Sequence, residues 1–240
     1  MFESYKKLNP VVLYCIPFAG GDSRSYRNLQ KYLDHNILVK SPEPAGRNSR
    51  LDETPLTDIH QIANDFFQQL KKDIQTQNYA LYGHSMGGLL VYLLTHLIIE
   101  NNFSLPKHLL VSGSIAPSVP RPLPYKHLLS KEDFMKYIQD FGGLPDELLA
   151  YPEIFDFFEP ILRADIQAVE CYQYQAKALF NLPLTVLYGD QDKNAHQADV
   201  LPWQKETSQH VMMHSFQGGH FFINKHIAEI GKLFSKALNS

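Results

Sequence analysis

Apolar runs of two different periods alternate along this chain. Val11–Ile16 is short, apolar and β-branched, and it stops at Pro17 and the pair Gly20-Gly21; it reads as a buried strand entering a turn. Ile37–Lys40, Tyr79–Tyr82, Leu109–Ser112, Leu184–Tyr188 and Val211–Phe216 read as further strands. Helical spacing fills the gaps. Ser25–Leu33 carries it, and Thr57 to about Gln75 predicts a longer helix, with Asp58 as its cap and Ile59, Ile62, Phe66 and Leu70 on one face. Met86–Glu100 is rich in Leu, Val and Ile and predicts a buried helix; Ala195–Glu206 and Phe221–Leu238 continue the alternation. Strands alternating with helices predict an α/β class, a mostly parallel sheet flanked by helices.

The alternation lapses once. From about Ala116 to Phe180 no strand-like run occurs. Pro117, Pro120, Pro122 and Pro124 open the interval, and helical stretches follow at Lys131–Phe141, Asp146–Ala150, Ile154–Phe158 and Arg163–Leu179. The interval reads as a helical insertion on one domain. The aromatic stretch Tyr151–Phe158 fits either core or the lining of an apolar tunnel.

Composition narrows the class. The chain has 240 residues, 44% hydrophobic and 20% charged, which suits one sizeable core and excludes a disordered chain. A formal net charge of -3 with no basic run argues against nucleic acid as a partner. Cys15 and Cys171 are too few for a disulfide framework, and each reads as a small core residue. Met1 to Pro10 is polar, and no apolar run is long enough for a membrane helix. The expectation is a cytoplasmic protein, with a monomer as the default.

The sharpest motif is Gly83-His84-Ser85-Met86-Gly87, a G-x-S-x-G between an apolar strand and an apolar helix. In such an elbow the chain reverses sharply, the flanking glycines pass close together, and the serine hydroxyl projects from the sheet edge. A serine hydroxyl needs a base to take its proton. On this architecture the order is Ser, then Asp or Glu, then His. His220, in the Gly218-Gly219-His220 loop after a strand, is the expected base. The acid is Asp192, with Asp190 as the alternative; both follow the Leu184–Tyr188 strand. An oxyanion hole needs two N–H donors. Met86 supplies one, and the loop after the first strand supplies the other through Phe18, with Ala19 as the alternative.

Other chemistry finds less support. His210 and His214 are four apart on a strand, with no third ligand at convincing spacing, so no metal is expected. No nucleotide-binding glycine pattern is present, and no cofactor is expected. His84 reads as a packing residue of the elbow.

Together these residues resemble the α/β-hydrolase type II thioesterases that accompany non-ribosomal peptide and polyketide synthases. The likeness runs nearly end to end. It includes Pro17-Phe18-Ala19-Gly20-Gly21 with Tyr26, the Ser85 elbow, Leu162-Arg163-Ala164-Asp165, Glu170-Cys171-Tyr172, Gly189 to Asp192, Trp203, Thr207 and Gly218-Gly219-His220-Phe221-Phe222. The family's usual Pro-Gly-Arg is here Ala45-Gly46-Arg47, a changed turn. The resemblance implies a fold with a helical lid at about 116–180. It also implies removal of stalled or wrong acyl groups from the phosphopantetheine arm of acyl- or peptidyl-carrier proteins. Arg163 and Asp165 would then be structural, pairing within or beneath the lid. A general carboxylesterase, an acyltransferase and a non-catalytic binding module on the same scaffold are the competing readings.

Overall fold

The computed structural model describes residues 10–121, 123–142 and 152–240. Six strands form one sheet among these residues: β1 (Val11–Ile16), β2 (Ile37–Lys40), β3 (Tyr79–His84), β4 (Leu109–Ser112), β5 (Leu184–Gly189) and β6 (Met212–Phe216). Their order is β2-β1-β3-β4-β5-β6, and every pairing is parallel. The chain leaves β1 to one side, to β2, and returns on the other side, to β3. That reversal opens a crevice beyond the carboxyl ends of β1 and β3, the place where open parallel sheets bind ligands. Ile16 pairs with Gly83 in the register, so the loop after β1 lies beside the serine elbow after β3.

Strand alternation divides the core into two layers. Tyr14, Leu81, Val111 and Val186 face a layer with helices α1 (Ile59–Ile74) and α2 (Met86–Glu100). Leu13, Tyr82, Leu110 and Leu187 face the other, against α7 (Ile227–Asn239) through Ile230, Phe234 and Leu238. Asp58 caps α1 as its sequence predicts, accepting from the Gln61 N–H at 2.8 Å. α2 is buried on nearly all sides.

Between β4 and β5 the described chain holds α3 (Lys131–Phe141) and α4 (Pro152–Glu170). The sequence expectation of separate helices at Ile154–Phe158 and Arg163–Leu179 is corrected: α4 runs straight through Pro160 and ends at Glu170. Phe155, Ile161, Leu162, Ala164 and Ala168 on α4 are all buried, and this packing outweighs the local cost of one proline. The Glu170 carboxylate then accepts from the N–H groups of Lys126 and His127 and pairs with the His127 ring, tying the helix end to the preceding turn. Cys171 lies past that end and is exposed, so it is no core residue, whereas Cys15 is buried. The helix expected at Asp146–Ala150 lies outside the described residues, as does Tyr151.

Three other helices are shorter than their patterns suggest. Ser25–Leu33 forms turns and one 3-10 helix, Leu29–Tyr32. Ala195–Glu206 contains α5 (Gln197–Val200) and a 3-10 helix, Leu201–Lys205, with Pro202 at the junction. Phe221–Leu238 breaks at His226 into α6 (Phe222–Lys225) and α7. No described helix is long and apolar enough to cross a membrane.

Candidate active site

Ser85 sits between β3 and α2 with φ 55° and ψ −119°, a conformation non-glycine residues rarely adopt. Two glycines make that turn sterically allowed. A Cβ on Gly83 would run into the Gly87 carbonyl, and one on Gly87 into the Ile16 carbonyl. The Ser85 N–H donates to the Ser112 carbonyl at 2.8 Å, anchoring the elbow to β4. Met86 is the first residue of α2, so its N–H belongs to the helix start, where amides have no intrahelical acceptor.

His220 and Asp192 come from adjacent strand ends. Gly189 pairs with Phe216 in the register, and the two following loops stay laced together. The Asp190 N–H donates to the Phe216 carbonyl at 2.9 Å and the Gln191 N–H to the Gly218 carbonyl at 3.0 Å. His220 Nδ1 lies 2.8 Å from Asp192 Oδ2, both side chains being buried. The other Asp192 oxygen accepts from the N–H groups of Asn194 and Ala195 at 2.8 and 3.2 Å, which fixes the carboxylate. Asp190 instead is exposed and accepts from the Gly218 N–H at 2.9 Å, holding the turn. His220 Nε2 is buried and has no hydrogen-bond partner among the described residues. Phe141 on α3 packs against the imidazole at 4.4 Å between ring centres, a contact with no local sequence signal.

His84 packs inside the elbow, its ring 4.8 Å from that of His220. Its Nδ1 lies 2.9 Å from Ser112 Oγ, which is itself 2.9 Å from the Tyr82 hydroxyl. Burial, and then repulsion between the two neighbouring imidazoles, hold the His84 pKa well below the usual histidine value, so this ring stays neutral.

The loop after β1 approaches the same point. The Gly21 N–H donates to the Phe18 carbonyl at 2.8 Å, and Ala19 lines the space above Ser85. Tyr26 welds the loop to the elbow: its hydroxyl donates to the Ile16 carbonyl and accepts from the His84 N–H. Trp203 and Thr207 also act on backbone, the indole N–H donating to the Ser114 carbonyl and the threonine hydroxyl meeting the carbonyls of Phe180 and Leu182.

Ser85, Met86, Ala19 and His220 share one cavity of about 490 Å³, walled by apolar residues such as Val119, Ile166 and Val169. The described residues of the aromatic stretch, including the buried Phe155, are not among its walls; Phe155 packs with Phe134, Ile138 and Leu162 between α3 and α4. His210 is exposed and His214 half-buried, and no cluster among the described residues could hold a metal ion.

A family model for the thioesterase domain matches residues 12–238. The chain belongs to that family. The thioesterase is 30% identical to the gramicidin S biosynthesis protein GrsT of Aneurinibacillus migulanus, covering 94% of this chain and 88% of that one. It is 33% identical to the medium-chain S-acyl fatty acid synthase thioesterase of Rattus norvegicus, over 89% of this chain and 81% of the other. Among solved structures it matches the type II thioesterase BorB from the borrelidin biosynthetic cluster, at a TM-score of 0.87 and 30% identity, covering 95% of this chain and 93% of that one. These likenesses agree with the parallel sheet. The fold is that of the α/β-hydrolases, and the protein is a thioester-hydrolysing enzyme of the type II class.

Proposed function

We propose that this thioesterase edits carrier proteins of non-ribosomal peptide or polyketide assembly, cleaving stalled or wrong acyl groups from the phosphopantetheine arm. The observation that carries this reading is the buried Asp192–His220 pair, with His220 lining the same cavity as Ser85. GrsT, named for gramicidin S biosynthesis, and BorB, from the borrelidin biosynthetic cluster, support the pathway class.

In the proposed chemistry His220 Nε2 takes the Ser85 proton as Oγ attacks the thioester carbonyl carbon. Asp192 holds the ring with Nδ1 protonated and stabilises the imidazolium. The N–H of Met86 and that of Phe18, or of Ala19 beside it, receive the developing oxyanion. The C–S bond then breaks, and the pantetheine thiolate leaves with the proton held by His220. Water attacks the acyl-serine, His220 takes its proton, and Ser85 regains its own as the free acid departs. The helical segment between β4 and β5 acts as the lid of the acyl chamber. At about 490 Å³, within the roughly 300–1,000 Å³ usual for small-molecule pockets, that chamber suits a short or medium acyl group.

The test is mass spectrometry of carrier proteins loaded with defined acyl groups. The wild type is expected to return them to the free-thiol form with release of free acid, and Ser85→Ala to leave them loaded. Acyl loss in Ser85→Ala at the wild-type rate overturns the nucleophile. A new ester or thioester in place of free acid marks a transferase, and a clear preference for oxygen esters marks a carboxylesterase.

A further inference from the structure

The cavity that holds Ser85 and His220 also has Arg121 in its wall. This guanidinium differs from the other shielded arginines of the molecule. Arg47 gives its terminal nitrogens to the Ala45 carbonyl and to Asp165. Arg50 pairs with Glu53 and Asp65, and Arg163 with Glu159 and two carbonyls. Among the described residues Arg121 has no hydrogen bond or ion pair, and its Nε, like that of Arg47, is shut from solvent without a partner. The Tyr172 ring lies 5.5 Å beneath it, and Asp199, in the same wall, reaches it only through its field. Burial draws its pKa down to about 10, which leaves it charged at neutral pH.

A shielded charge without a partner is costly, and a guanidinium is a planar fork matched to an oxyanion. The cavity's other charges do not satisfy it. Glu170 is engaged by Lys126 and His127, while Lys126 and Lys193 add positive charge to the wall. Val119, Ile166 and Val169 supply apolar surface in the same chamber, suited to methylene groups.

We propose that Arg121 forms an anion subsite inside the acyl chamber, taking the distal carboxylate of a dicarboxylic half-thioester. The inference deepens the editing reading and rests on Ser85 acting in this cavity. The phosphate of the pantetheine arm is the other source of an oxyanion. The apolar surroundings favour an acyl terminus, which arrives with its own methylene chain.

The experiment compares pantetheine thioesters of succinyl, glutaryl and adipyl groups with butyryl, pentanoyl and hexanoyl, on the wild type, Arg121→Met and Arg121→Lys. At the diacid length that fits, Arg121→Met is expected to lose at least tenfold in kcat/KM (on the order of one charge-assisted hydrogen bond). The matching neutral acyl group should change less than twofold, and Arg121→Lys should retain part of the preference. Equal losses for both series overturn the subsite, as does a wild type that hydrolyses only neutral acyl groups. The same acyl groups are also run as phosphopantetheine thioesters: a loss seen only there, whatever the acyl group, assigns Arg121 to the phosphate and overturns the subsite too.

A binding arm separates this inference from the catalytic reading. Calorimetry of the wild type and Arg121→Met with non-hydrolysable glutaryl- and pentanoyl-pantetheine amides should show at least tenfold weaker binding of the glutaryl amide alone in the variant. Equal affinities overturn the subsite even if no thioester is turned over. Failure of all six thioesters with this binding difference intact counts against the editing reading instead. The Arg121→Met protein should melt at or above the wild-type Tm, because among the described residues no hydrogen-bonded or ion-paired partner is left behind.

Discussion

Asp165, on α4, accepts a hydrogen bond from the Gly20 N–H at 2.7 Å, joining the helical segment to the loop after β1. The same carboxylate oxygen pairs with the buried Arg47 guanidinium. Leu162, one turn earlier on α4, fills the space where a Cβ on Gly20 would stand, at 2.6 Å. Gly20 has φ +78°, so the loop conformation itself calls for glycine there. The helix thus clamps the loop proposed to carry the second oxyanion donor. Arg163 does not share this link: it lies over the Phe134 ring and binds the carbonyls of His127 and Leu129, bracing α4 to the neighbouring turn.

Asp165→Ala is therefore expected to damage both stability and turnover. It strands the Arg47 charge and the Gly20 N–H in a buried place, a loss of about 3–5 kcal/mol for a broken buried pair. The loosened loop should lower kcat by on the order of tenfold or more, with a smaller change in KM. Asp165→Asn keeps an acceptor for Gly20 and should retain more of kcat than Asp165→Ala at similar stability. Urea unfolding and thioester kinetics on both variants check this. Full turnover by a folded Asp165→Ala protein would show that the clamp does not position the loop.

The two aspartates after β5 should separate cleanly. Asp192→Asn puts an amide against His220 Nδ1 and favours the wrong tautomer, so kcat should fall by about 10³–10⁴ with the fold intact. Asp190→Asn removes only a charge from an exposed turn contact to Gly218, and kcat should stay within about threefold, as for an isolated surface change. Steady-state rates with one acyl thioester are enough. Comparable losses in the two variants would mean that the carboxylate paired with His220 in the structure is not the orienting group.

Much of this site was legible in the chain, and the reasons are local. The β-branched runs mark the strands, and Gly83 and Gly87 mark an elbow that no larger residue fits. His220 was distinguishable from ten other histidines by its place after a strand, downstream of Ser85. The relationships the chain does not display locally are long-range. Asp165 and Gly20 are 145 residues apart, and only the folded chain shows that the Leu-Arg-Ala-Asp stretch holds the loop after β1. The continuity of α4 through Pro160 rests on tertiary packing, which propensity does not record. The solitary state of Arg121 depends on which carboxylates are already engaged, and no spacing rule expresses that.

The buried histidines other than His220 make a further measurable prediction. Burial is the largest cause lowering the pKa of His84, His96 and His108, and it brings the last two to about 4. In the unfolded chain each takes up a proton near the ordinary 6.5; in the folded chain each stays neutral to lower pH. Between those values the unfolded state binds more protons, so stability rises with pH and is lost as pH falls from about 7 towards 4. Glu206, whose pKa burial raises above 4.5, works in the opposite sense from that value upward, so a difference measurement isolates the histidines. His96 is suited to it. Its ring is 4.6 Å from both Tyr92, edge-on, and Phe180, tilted, and a phenylalanine retains those ring contacts. Urea unfolding of the wild type from pH 8 to 5 should show stability falling as the solution is acidified. His96→Phe should fall less steeply, by a fraction of one proton. Parallel curves for the two proteins would mean that His96 titrates alike in both states, so that its burial contributes nothing to acid sensitivity.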